Sequence, residues 1–201
     1  MKKIIFSIFI LTNLIANDYL SGLEHYKKQH YSKALELFNK AAQENNDKAM
    51  FALSVIYFNG DGVKKDIDKS LLWAKKSAFF GNINAYEKLG NYNASKTNYK
   101  EAFNWFEKAA KRGSAKSQYN LGYFYTGGLG VKRDLDKALF WYTKSAEQNH
   151  IDAQLNLGFM YIAGHGTKVD YSKAVYWIKK AKELGSQKAN EMWKEFKLDQ
   201  Y

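Results

Sequence analysis

The chain contains no cysteine and no proline. Without cysteine there is no disulfide framework and no thiolate for a structural zinc site, so packing alone must hold the fold. The missing proline suits long helices, because one proline in a helix interior costs roughly 3 kcal/mol. It suits a β-sandwich punctuated by proline turns poorly. Arginine is scarce too: Arg112 and Arg133 are the only two in a chain whose formal net charge is +11. Phosphate recognition favours the arginine fork, whereas lysine is a hydrated point charge. The lysines are spread through every segment and form no patch, which reads as solvated helix faces with weak attraction to anionic surfaces. A nucleic-acid partner is not expected.

Long apolar runs are also scarce. The one candidate, Ile4 to Ile15 (IIFSIFILTNLI), follows Lys2 and Lys3 and precedes Ala16. A short basic region, a brief apolar run and a small residue form the secretory signal pattern. The run falls short of the roughly 20 residues a membrane-spanning helix needs. Residues 1–16 are therefore read as a signal peptide, cleaved before Asn17, with residence in a periplasm or outside the cell. An uncleaved anchor or a buried helix is the alternative. No cysteine follows that could carry a lipid.

What is present is one sentence written five times. GGLGVKRDLDKALFWYTKSA at 127–146 recurs as NGDGVKKDIDKSLLWAKKSA at 59–78 and as AGHGTKVDYSKAVYWIKKAK at 163–182. Shorter copies, YKKQHYSKALELFNKAA at 26–42 and NASKTNYKEAFNWFEKAA at 93–110, lack the glycine loop. Steps of 32 to 36 residues mark a stack of supersecondary units. The expected boundaries are 17–46, 47–82, 83–114, 115–150 and 151–186, with a terminal helix at 187–201 covering the last unit.

Each copy resolves into two helices. The first carries a small residue, then leucine, a second small residue and an aromatic ring at helical spacing: Ala49, Leu53, Ser54, Tyr57; Ser117, Leu121, Gly122, Tyr125; and Ala153, Leu157, Gly158, Tyr161. The second is expected to begin at a cap, Asp66, Asn98, Asp134 or Asp170, and Asn98 with Glu101 has capping-box spacing. Trp73, Trp105, Trp141 and Trp177 recur at one position of the second helix and are expected to anchor the core. The paired glycines (60 and 62, 128 and 130, 164 and 166) follow no strand, and Gly128 stands where a P-loop needs lysine. They are expected to reverse the chain between helices, not to cradle phosphate.

No reactive constellation emerges. His25, His30, His150 and His165 lack ligand-pair spacing, and Asp66/Asp68 and Asp134/Asp136 fall at helix starts, where capping explains them. No catalytic residue, metal or cofactor is expected.

The repeated pattern, A-x3-L-G-x2-Y-x2-G-x-G-V-x2-D-x2-K-A-x2-W-x3-A-A-x2-G, resembles the Sel1-like repeat, a relative of the tetratricopeptide repeat. Residues 115–150 follow it through Leu121, Gly122, Tyr125, Gly128, Gly130, Val131, Asp134, Lys137, Ala138, Trp141 and Ala146. Residues 47–82 and 151–186 follow it with Ser54 and Thr167 as departures, and the two shorter copies resemble the plainer tetratricopeptide unit. The resemblance implies an all-α, right-handed α-solenoid of antiparallel helix pairs. It also implies a concave face built from the first helices, with groove positions two before and two after the Leu/Gly landmark. Those positions hold Phe51, Val55, Glu87, Asn91, Tyr119, Tyr123, Leu155 and Phe159. The expected function is a non-enzymatic interaction scaffold that holds a protein or peptide, an acidic one given the lysines. Cysteine-rich secreted relatives described as β-lactamases or penicillin binders supply a hydrolase alternative. Against it, no serine here is followed three positions later by lysine, and KTN at 96–98 is the nearest approach to K-T-G. A cell-wall or anionic-surface binder is the third possibility.

Overall fold

The computed structural model describes residues 18–201; the signal segment expected at 1–16 lies outside them. Every element is helical, and no strand occurs among the described residues. The first helix, α1, covers residues 18–27. It is followed by α2 (Tyr31–Gln43), α3 (Asp47–Asn59), α4 (Ile67–Phe79), α5 (Ile83–Ser95) and α6 (Tyr99–Lys111). Then come α7 (Ala115–Gly127), α8 (Leu135–Ala146), α9 (Ile151–Ala163), α10 (Tyr171–Glu183), α11 (Gln187–Glu195) and a 3₁₀ turn at Leu198–Gln200. The chain divides into two compact units, one ending at Leu89 and one running from Gly90 to Tyr201. Each is built of antiparallel helix pairs, the all-α fold class expected from the repeats.

The recurrent D-x-x-K motif has a structural meaning. Asp66, Asp134 and Asp170 cap α4, α8 and α10 by accepting the backbone N–H of Lys69, Lys137 and Lys173 at 2.9, 3.0 and 2.9 Å. Each lysine also places its ammonium near the capping carboxylate, at 3.8, 3.2 and 3.2 Å. The same ammonium lies over the ring of Tyr57, Tyr125 or Tyr161, 5.3–5.4 Å from its centre. The aspartate N–H in turn donates to the carbonyl of that tyrosine. Three motif residues thus close each loop.

Asn98 does not behave as expected. It makes no side-chain cap bond to α6, and its own N–H is already held by Asn93 O at 2.9 Å, leaving Glu101 nothing to reach back to. The shorter loop explains this: the chain reverses at Thr97, with φ 59°, and arrives at α6 with Asn98 at ψ 61°, outside the extended conformation of the aspartate caps.

The glycine loops reverse the chain as expected. Gly60, Gly128 and Gly164 end α3, α7 and α9 in the left-handed conformation. The second glycine of each pair answers a different demand. A Cβ on Gly130 or Gly166 would collide with the backbone at Tyr99–Lys100 or Leu135–Asp136, where the preceding repeat starts its second helix. The loop docks there, and only glycine fits.

The core corrects one expectation. Trp73, Trp105 and Trp141 are only half-buried, and Trp177 alone is buried. The residue following each tryptophan goes deeper: Phe106, Tyr142 and Ile178 are 0–3 % exposed, as is Phe38 in the first repeat. Trp141 and Trp177 sit at the seam between repeats, Trp141 against the cluster of Phe106, Leu121 and Phe124, and Trp177 against that of Tyr142 and Leu157. Lysines cap the other two, Lys76 over Trp73 and Lys108 over Trp105, each at 4.3 Å.

Buried polar groups repeat as well. Ser77 and Ser145 donate from the second helix to Asp47 O and Ala115 O of the first, both at 2.7 Å. Gln118 and Gln154 donate to the last-turn carbonyls of Ala110 and Ala146 in the preceding helix, both at 3.2 Å. These bonds satisfy groups that burial would otherwise leave stranded.

Candidate functional site

In the unit from Gly90 onward, α7 and α9 carry the expected groove positions, and both helices pack on α8. Tyr119, Tyr123 and Phe159 line a cleft of about 360 Å³ together with Thr126, Arg133, Tyr142, Asn156 and His165. Tyr123 and Phe159 are 53 % and 44 % exposed, so their rings are available to a partner. Tyr119 is different. It packs on Tyr142 at 5.7 Å and stacks on the His150 imidazole at 4.8 Å, so it forms the wall more than the mouth.

Polar groups line the cleft beside the rings. Burial pushes the Tyr142 hydroxyl up to about 12, with hydrogen bonds to Thr126 and Asn156 opposing that shift. Burial, assisted by the Asp152 charge, raises Tyr119 as well. Both phenols are therefore neutral hydroxyls at physiological pH. Arg133 Nε donates to Thr126 O at 3.2 Å, which ties down one edge of the guanidinium at an exposed position. His150 caps α9 by accepting from Ala153 N at 3.3 Å, and burial holds its pKa below the ordinary value.

Leu155 is 3 % exposed and belongs to the cluster with Ile178 and Met192, although its edge reaches a smaller cleft beside Phe159 and Phe196. In the unit ending at Leu89, Phe51 and Val55 are half-buried and line a separate cleft of about 260 Å³ with Tyr19, Tyr26, Phe38 and Lys48. Glu87 is half-buried on α5, and Asn91 on the same helix is exposed.

Sequence reasoning passed over Asn156, Arg133, Thr126 and His165. One signal was there to be read: asparagine recurs immediately before the Leu/Gly landmark, as Asn120 and Asn156. The first-helix caps were also missed. Asn46, Asn82, Ser114, His150 and Ser186 occupy one repeat position, and each accepts from the N–H three residues on.

Chemically, the cleft offers aromatic faces, neutral donors, an amide and one guanidinium. No group of three potential metal ligands occurs among the described residues. No described helix is long and apolar enough to cross a membrane.

A family profile described as the Sel1 repeat matches residues 15–46, 47–78, 84–114, 115–150 and 151–186. A Sel1 repeat protein from Oxalobacter formigenes, known from its crystal structure, is 34 % identical with a TM-score of 0.77, covering 87 % of this chain and 75 % of that one. The ERAD-associated E3 ubiquitin-protein ligase component HRD3B of Arabidopsis thaliana is 35 % identical over 104 residues, 51 % of this chain and 17 % of its own. The chitin synthase regulator SKT5 of Saccharomyces cerevisiae is 34 % identical over 112 residues, 52 % of this chain and 16 % of its own. The match thus spans about a sixth of the length of these two relatives.

Proposed function

The chain belongs to the Sel1 repeat family, and on that premise we propose that it is an exported scaffold whose groove helices hold a segment of a partner protein. The observation carrying this reading is the cleft between α7 and α9, where two exposed rings, Tyr123 and Phe159, flank Asn156 and Arg133. Rings of this kind give a partner large contact area at small entropic cost, and the amide and hydroxyls fix its orientation. Arg133 and the lysine surface favour an acidic segment by speeding encounter and matching charge. The names of two relatives point the same way: one is a component of a ligase assembly and the other a regulator of a synthase. Export rests on Lys2, Lys3 and the apolar run to Ile15. The exported protein then begins at Asn17, which N-terminal sequencing reads directly.

The test replaces Tyr123 with a photo-crosslinking amino acid and identifies the captured protein in the native cells. Purified partner then binds wild-type protein and fails to bind Tyr123→Ser/Phe159→Ser, whose helical content stays unchanged. Equal binding by the double variant removes the cleft from the reading. Tyr119 is left intact because it packs on Tyr142 and His150.

A further inference from the structure

Lys88, on α5, lies outside that cleft and has surroundings unlike those of its fellow lysines. Its Nζ donates to Ser54 O at 3.2 Å and sits 4.4 Å from the centre of the Phe58 ring. It is half-buried, whereas every other described lysine except Lys180 is exposed. Burial is the one cause that moves its pKa, which falls to about 8, and no carboxylate contributes. The Ser54 carbonyl and the ring face favour the ammonium, but neither carries the full charge needed to offset lost hydration. Lys65 Nζ lies 5.2 Å from the centre of the same ring. Ser54 O is held in place by Ser70 Oγ at 2.7 Å.

The repeat register explains how this niche arose. At the landmark position this repeat has Ser54 in place of glycine, and Ala74 stands where other repeats have Phe106, Tyr142 or Ile178. At the position of Lys88, later repeats carry Asn120 and Asn156. Lysine is the departure, and it faces a carbonyl and a ring without a counter-ion.

We propose that Lys88 is the preferred site of acyl transfer onto this protein, taking the acyl group of an activated carboxyl donor of the thioester or acyl-phosphate class. The lone pair of the neutral amine attacks the carbonyl carbon, and a C–N bond forms. The bond from that carbon to sulfur or to phosphate oxygen breaks, and the thiolate or phosphate leaves with the electron pair. The amine proton passes to solvent. Ser54 O accepts an N–H throughout and steadies the positive charge that develops on nitrogen during attack. The product is a neutral amide that keeps one N–H for Ser54 O and removes the cation beside α3.

The test is a competition within single molecules. Folded full-length protein receives limiting sulfosuccinimidyl acetate near neutral pH, and mass spectrometry reads acetylation at each lysine, with exposed Lys64 and Lys75 as references. Lys88 is expected to react about 10-fold faster than either, because a far larger fraction of it is the free amine. Its rate should level off above a midpoint at about 8. Denaturing urea and Phe58→Ser, which admits water, should each remove the preference. Separate arms with acetyl phosphate and an acetyl thioester show which donor class supplies the group. Labelling of Lys88 no faster than Lys64 and Lys75 in every arm, or a rate still climbing at strongly alkaline pH, overturns the proposal.

Discussion

Gly122 and Gly158 have no room for a methyl group. A Cβ on Gly122 would lie 2.6 Å from the Tyr142 ring, and one on Gly158 would lie 2.5 Å from Ile178. The chain contains its own control: where Ser54 replaces the glycine, the facing position is Ala74. Small and large residues are therefore exchanged as a pair across this contact. Gly158→Ala should destabilise by about 1–2 kcal/mol, the clash outweighing the gain in helix propensity. Adding Ile178→Ala costs a cavity but relieves the clash, so the two changes should couple by more than about 0.5 kcal/mol in a double-mutant cycle of urea melts. Strict additivity would show that the contact is not shared. The same contact shows why the core was only half legible. Trp141 and Tyr142 are neighbours about 100° apart on one helix, and periodicity assigns both to the inner face. Which of them goes deepest depends on the bare Gly122 opposite, a fact held in another helix.

Helix caps divide the elements into those the sequence announced and those it did not. Asp66, Asp134 and Asp170 announced themselves by D-x-x-K; Asn98 stands at the same repeat position but has a different entry path. Asp66→Ala should cost about 1 kcal/mol in a chemical melt, whereas Asn98→Ala should cost a few tenths at most. Comparable losses would mean that Asn98 caps in solution. The cap on α9 adds a pH dependence. Burial, with the Lys116 charge assisting, holds His150 below its ordinary value of 6.5. The folded state thus prefers neutral imidazole, and the unfolded chain takes up the proton first. The stabilisation is complete above pH 6.5 and drains away as pH falls through the lowered value, because a protonated Nδ1 cannot accept from Ala153 N. Asp134 and Asp170 are also lowered, from 3.8, so their contribution is lost only in a more acidic window. His150→Asn, which copies Asn46 and Asn82 at the same repeat position, should retain the cap and flatten the stability profile between pH 6.5 and the acid limb. An unchanged slope would place the titration elsewhere.

For the whole molecule, the repeat period was readable because every unit must bury the same face against its neighbour, so its residues recur at fixed offsets. The cleft was less readable. Exposure at Tyr123, wall packing at Tyr119 and burial at Leu155 follow from what the adjacent repeat presents, and the first-helix pattern is the same at all three. That dependence on the neighbour gives the repeat at 151–186 a particular interest, because a shorter segment packs on it. There α11 and the 3₁₀ turn supply Ala189, Met192 and Leu198 to the cluster holding Leu155, Ile178 and Ala181. Two contacts secure the segment: Trp193 Nε1 donates to Asp199 at 2.6 Å, and Tyr201 stacks on Tyr171 at 4.2 Å. Deleting residues 187–201 should therefore cost on the order of 3 kcal/mol or more from the apolar area uncovered. The newly bare face of α9 and α10 should also drive self-association. Thermal melts and light scattering measure both effects. Met192→Ser with Leu198→Ser, keeping the full length, should lower the melting temperature in the same direction. A deletion that melts at the wild-type temperature and scatters no more light than wild type would show that the α9–α10 pair needs no cover, which the burial of Ile178 and Leu155 argues against.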